Sequence, residues 1–262
     1  MHKRRRLILL LAISTISAIE LNAQNTIHAD TAHFTVNQGN NPVGRTDFSI
    51  QPVKQGQIAT AVAYSVASHG AVTLPSTKYS FSGNGTLDNN LAIIQENLNG
   101  IVNGSAVTFA VRPVGANFVV DISADGRSYH NSLSRPAQTV FFPDFDLAAY
   151  EILLNLAAGH PGAPISALVP KQTGILSTAT LAPQADVQAT LNGAKLTVHH
   201  TSVTVNTVVS ELYYSNSNRI LEVDIPSQTF AIVHENFQLQ QPPPPPPEAA
   251  PNTQQQPAGP QP

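Results

Sequence analysis

Hydrophobic and polar positions alternate with a period of two through most of the chain between Asp30 and Leu239. In QIATAVAYSVAS, Ile58, Val62, Tyr64 and Val66 share one face, and Ala59, Ala61, Ala63 and Ala67 the other. AVTFAVRP places Val107, Phe109 and Val111 together, and NFVVDIS does the same for Phe118, Val120 and Ile122. Side chains of a strand point to opposite faces in turn, so each run reads as a half-buried strand. RILEVDI and QTFAIVHENF form two more, separated by Pro226-Ser227. Between the runs stand Asn84-Gly85, Asn99-Gly100, Asn103-Gly104, Asp125-Gly126 and Asn192-Gly193, pairs suited to the positive φ of a tight hairpin. Strands joined this way make an antiparallel meander.

One stretch breaks the period. FFPDFDLAAYEILLNLAAGHPG predicts a helix over about 144–158. Asp144 is expected as its cap, with Asp146 in the first turn, Gly159 as the left-handed C-terminal residue and Pro161 beyond it. Only Glu151 and Asn155 interrupt its apolar surface, and at a spacing of four they share one narrow stripe. A helix this apolar must be enclosed. The expected fold is therefore mainly β: a curled antiparallel sheet, a half-barrel, around one buried α-helix that contains Ile152 and Leu153. The alanine face of Ala59 to Ala67 is where another element can approach closely.

The order of a long strand meander, one apolar helix after a proline, and closing strands RILEVDIPSQTFAIVHENF resembles exported bacterial proteins of unknown function related to the lipoprotein-carrier half-barrels. The resemblance covers most of Asp30 to Leu239 and rests on pattern and order, with no diagnostic motif. It implies a concavity between sheet and helix that holds an apolar ligand. Carriers of that kind usually have more than one helix, whereas this chain shows one.

Composition adds an address. Met1-His2-Lys3-Arg4-Arg5-Arg6 is a basic lead-in to the apolar run Leu7 to Ile13, and Leu21-Asn22-Ala23 suits cleavage. Residues 1–23 are thus expected to be an export signal, and the apolar run is too short to span a bilayer. The full chain has 13 Lys+Arg and 16 Asp+Glu; without Lys3, Arg4, Arg5, Arg6 and Glu20 it has 9 and 15, a net charge of −6. That balance excludes a nucleic-acid partner and leaves no basic cluster for an anionic membrane. No cysteine is present, so the mature N-terminus offers no lipidation site of the bacterial lipoprotein kind. The expected location is extracytoplasmic, with no membrane span after cleavage. Residues 24–239 are expected to form a single β-rich domain. Residues 240–262 should be a disordered Pro/Gln-rich tail; 10 of the chain's 21 prolines fall after Gln241, and proline has no N–H for a sheet.

Candidate chemistry is sparse. His234-Glu235-Asn236-Phe237-Gln238 lacks the second histidine of a zinc-protease motif, and SGNGTL lacks the third glycine of a phosphate loop. His28, Asp30 and His33 would not share one strand face, nor would His199 and His200, so no metal site is expected. Glu222 and Asp224 share a face, expected to be the solvated one. Catalytic residues and cofactors are expected to be none. Phe141, Phe142, Phe145 and Tyr150 cluster where the helix begins and are the candidate ligand contacts. The expected function is non-enzymatic binding of an apolar molecule, a lipid or an envelope protein. A secreted hydrolase and an interaction module acting through the proline tail are the alternatives.

Overall fold

The computed structural model describes residues 27, 30–53, 62–171 and 174–240. The expected signal segment, the residues after Gln240, His28 and Ile58 to Ala61 lie outside them.

Eight strands run in succession as antiparallel neighbours. They are β1 (Asp30–Gln38), β2 (Asn41–Pro52), β3 (Tyr64–Thr73) and β4 (Lys78–Leu87), then β5 (Ile93–Val102), β6 (Ser105–Val114), β7 (Asn117–Ala124) and β8 (Arg127–Ser134). The short β9 (Thr139–Phe141) follows, then the helix α1 (Leu147–Gly159) and β10 (Ile165–Val169). Seven strands close the chain: β11 (Ile175–Pro183), β12 (Val187–Leu191), β13 (Ala194–Val205), β14 (Val208–Tyr214), β15 (Ile220–Ile225), β16 (Phe230–His234) and β17 (Phe237–Leu239). A 3-10 turn over Pro226–Gln228 separates β15 from β16 at the proline break.

The sheet is continuous through β1, whose second edge takes β16. From there β15, β14, β13, β11 and β10 follow, each antiparallel to the last. The exception to the meander is β9, which lies parallel to β10. A parallel pair needs a crossover connection, and α1 is that crossover. This is how one helix comes to sit inside the sheet. The sheet curls without closing. Its β9 edge lies over the inner face of β6, with Phe141 and Phe109 rings 5.7 Å apart.

Alternation places Thr46, Phe48 and Ile50 of β2, and Phe118, Val120 and Ile122 of β7, on the concave side. Every residue of α1 from Leu147 to Leu156 is buried, Ile152 and Leu153 included, so the helix is enclosed as its composition requires. Its approach to the sheet differs from expectation. Tyr64, Val66 and Ser68 face the core, whereas Ala63 and Ala67 are half-exposed. The larger side chains of β3 are the ones that supply apolar area to the interior.

Three further details of the helix correct the sequence reading. Asp146 is the cap, its Oδ1 accepting the Ala148 N–H at 3.1 Å, while Asp144 is exposed beside Lys171. Gly159 is the last helical residue, and the left-handed glycine is Gly162 at φ 78°. Glu151 and Asn155 are not on a wet stripe. Asn155 Nδ2 donates to the Glu151 carbonyl at 2.8 Å and Asn218 Nδ2 donates to Asn155 Oδ1 at 3.3 Å. The Ile220 N–H donates to Glu151 Oε2 at 3.4 Å. The polar pair binds the turn between β14 and β15.

Asn103-Gly104, Asp125-Gly126 and Asn192-Gly193 are hairpin turns with positive φ at both residues. Asn84-Gly85 and Asn99-Gly100 are instead strand-internal, in β4 and β5. The glycine of the first pair is needed for space: a Cβ on Gly85 would fall on the Glu96 carboxyl across the sheet, and one on Gly83 would fall on Ser68 Oγ. Gly85→Ala should therefore lose about 1–3 kcal/mol of stability through overpacking. Adding Glu96→Ala should recover part of that loss. Thermal melts of the two variants and the pair check it; purely additive losses would show that the two positions do not compete for space.

Outside the curl, β12 and β17 pair and cover the convex face of β15 and β16. A register shift at Tyr213/Tyr214 lets Ile220 join the main core while Leu221 joins this smaller cluster with Ala189, Val198 and Phe237.

Candidate binding cleft

The residues leading into α1 are fixed by the sheet beneath them. Phe145 has φ 63°, a left-handed conformation that costs a side-chain-bearing residue about 1–3 kcal/mol. Thr46 Oγ1 lies 3.0 Å from both the Phe145 and His69 carbonyl oxygens, and Ser68 Oγ donates to Asp146 Oδ2 at 2.7 Å. With the helix cap, these contacts hold the segment before α1 against β2 and β3.

Phe145 stands between two cavities. The larger, of about 260 Å³, lies against β3, β4, β5 and β6 and has mainly apolar walls, among them Val72, Leu74, Tyr79, Leu98 and Val107. The smaller, of about 160 Å³, is more polar, with Tyr150, Ser177, Asn206, Ser210 and Gln228 on its walls. Asp144, Phe145 and Lys171 line both. Neither lobe alone reaches the roughly 300 Å³ of a typical ligand pocket, but the two together do. The Asp144–Lys171 ion pair, at 3.3 Å, is exposed at their shared rim. The Phe145 ring meets Phe230 edge-on at 5.1 Å and Tyr79 at 6.3 Å, and Tyr79 stacks on Phe81 at 5.5 Å.

Of the four aromatic candidates, Phe142 and Tyr150 line the smaller lobe and Phe145 lines both. Their rings are in contact, Phe142 to Tyr150 at 4.8 Å, and the Tyr150 hydroxyl meets Ser210 Oγ at 2.9 Å. Burial pushes the Tyr150 phenol up to about 12, with the Ser210 bond opposing and the Asp144 charge adding. Phe141 points into the core against Phe109 and lines neither lobe. Sequence reasoning missed Tyr79, which lies far from the helix in the chain, and Lys171, which follows β10.

Two carboxyls are buried in the interior, Asp146 at the cap of α1 and Glu96 on β5. Burial raises Asp146 to about 6, against the lowering effects of the Ser68 hydroxyl and the Ala148 N–H. Burial, and then the Asp146 charge, push Glu96 well above the ordinary carboxylate range.

A second polar group lies on the outside, on β13, β14 and β15. His200 Nε2 meets Glu211 Oε2 at 2.9 Å, Ser202 Oγ donates to the same oxygen at 2.6 Å, and the His200 ring stacks on Tyr213 at 4.5 Å. Glu222 and Asp224 sit beside them. Glu222 is not solvated as the alternation suggested but buried, whereas Asp224 is half-buried, with Oδ1 enclosed and without a hydrogen-bond partner among the described residues. Burial, and then the Asp224 charge, raise Glu222 to about 8. Among the described residues no three His, Asp or Glu side chains converge on a point that would suit a metal ion. His199 pairs instead with Asp186 at 3.0 Å, and His130 with Asp121 at 2.6 Å. Among the described residues no helix is long and apolar enough to cross a membrane.

Neither a protein-family profile nor a curated protein sequence matches the chain. Solved structures do. A beta-barrel-like protein of domain of unknown function DUF1849 from Brucella abortus is similar with a TM-score of 0.51 at 9% identity, over 81% of this chain and 98% of that one. A DUF1089 family protein from Pseudomonas aeruginosa is similar with a TM-score of 0.42 at 8% identity, over 70% of this chain and 90% of that one. The first likeness shows the class of fold, a beta-barrel-like one.

Proposed function

We propose that this chain is an exported, non-enzymatic binding protein that holds an apolar molecule in the cleft divided by Phe145. The observation that carries the reading is the larger lobe: a mainly apolar cavity, open at the helix start, with a polar lobe and an ion pair next to it. A well-packed interior leaves few voids larger than a water molecule, so an apolar cavity at the mouth of a curled sheet suits an occupant. Phe142, Phe145 and Tyr150 are the contacts we assign to that ligand, with Phe145 the central one. The basic and apolar start of the chain supports export, and with it an extracytoplasmic, soluble mature protein of residues 24–239 with a proline-rich tail.

Titration with an uncharged, environment-sensitive fluorophore such as N-phenyl-1-naphthylamine tests the reading. Saturable binding at micromolar concentration is expected. Thr77→Trp, which fills the rim of the larger lobe, should weaken it at least fivefold with an unchanged melting curve. Absence of saturable binding, or full binding by Thr77→Trp, would overturn the assignment.

A further inference from the structure

We infer that the cleft selects amphiphiles whose polar end is an alkylammonium cation, an inference that rests on the binding role proposed above. Tyr79 and Phe145 line the larger lobe with ring centroids 6.3 Å apart, and Asp144 lies on the same wall. Aromatic faces attract an ammonium through their quadrupole, and substituted ammonium groups suit them because they are weakly hydrated. The carboxylate of Asp144 supplies charge where such a cation would sit. Burial, then the charges of Asp144 and Asp146, raise the Tyr79 phenol.

Two features weigh against an anion. The positive end of α1 would ordinarily invite one, but Asp146 already occupies it and accepts the Ala148 N–H. Among the described residues Lys171 is the sole Lys or Arg on the walls of either lobe, and it is bound to Asp144 at 3.3 Å. Lys171 is itself an alkylammonium resting against this carboxylate. An incoming ammonium would replace it on Asp144 and leave the lysine to solvent, in which its side chain is already half-exposed. The tail of the ligand would lie along Val72, Leu98 and Val107 in the larger lobe.

The experiment is displacement of the bound fluorophore by dodecyltrimethylammonium, dodecanol and dodecanoate, each below its aggregation limit and at one ionic strength. The ammonium should displace at about a tenfold lower concentration than the alcohol, with the carboxylate the weakest of the three. Asp144→Asn, a change at an exposed side chain, should remove most of that advantage, weakening the ammonium far more than dodecanol. Lys171→Met should strengthen the ammonium by severalfold, because its competitor is gone; an anion-selective site would respond in the opposite sense. Dodecanoate equal to or better than the ammonium would overturn the inference, as would an ammonium advantage that survives Asp144→Asn. If the fluorophore never binds, the failure belongs to the binding role itself.

Discussion

Leu153→Asp is expected to yield no soluble folded protein. Leu153 is fully buried at the centre of α1. An unpaired carboxylate there costs several kcal/mol, against a total stability of about 5–15 kcal/mol for a domain. Leu153→Ala, which only opens a cavity, should lose about 2–5 kcal/mol and remain measurable. Asn155→Asp, a change the sequence pattern marks as harmless, is expected to be costly too. It removes the amide that donates to the Glu151 carbonyl at 2.8 Å and places a second carboxyl beside a buried one. A loss of about 1–3 kcal/mol follows from the broken bond. Soluble yield and thermal melts of the three variants check this; parent-like behaviour of Leu153→Asp would mean that the helix is not enclosed.

Acidification is expected to stabilise the protein. Asp146, Glu96, Glu222 and Asp224 are all raised in the folded state, chiefly by burial. A carboxyl with a raised folded pKa binds its proton more tightly in the fold than in the open chain. The folded state then carries more protons than the unfolded one across the interval between the two values. Stability must fall as pH rises through that interval. The ordinary values are 3.8 for aspartate and 4.5 for glutamate, and the folded values are about 6 for Asp146 and about 8 for Glu222. The melting temperature should therefore climb as pH is lowered from about 8 towards about 4.5, by an amount worth a few kcal/mol. Glu222→Gln should raise the melting temperature at pH 8 and flatten the slope above pH 6, while Glu96→Gln should flatten it further. A melting temperature that falls steadily between pH 8 and pH 5 would contradict the burial of these groups.

Local chemistry determined much of this protein from the sequence alone. A strand shows one face to the core and one to water, so its alternation is written in the residues, and β6 and β7 are legible at once. Asn103-Gly104 and Asp125-Gly126 turn because those residues tolerate positive φ and both neighbouring runs are apolar-alternating. The enclosure of α1 followed from its surface, since a helix with two polar residues has no face to offer water. What only the tertiary structure decided depends on elements that meet from distant parts of the chain. The parallel pairing of β9 and β10 arises from where α1 crosses, and no local pattern encodes it. Asp146 caps the helix in place of Asp144 because Ser68, far back in β3, receives its carboxylate. Gly85 resembles a turn residue and is instead a gap left for Glu96 on the next strand. Glu222 alternates like a surface residue, and a second layer folded over it. The same holds for the cleft: Phe142, Phe145 and Tyr150 are close in sequence and could be named together. Tyr79 and Lys171 join them because the curl of the sheet carries β4 and the end of β10 to one mouth, a consequence of strand order and twist.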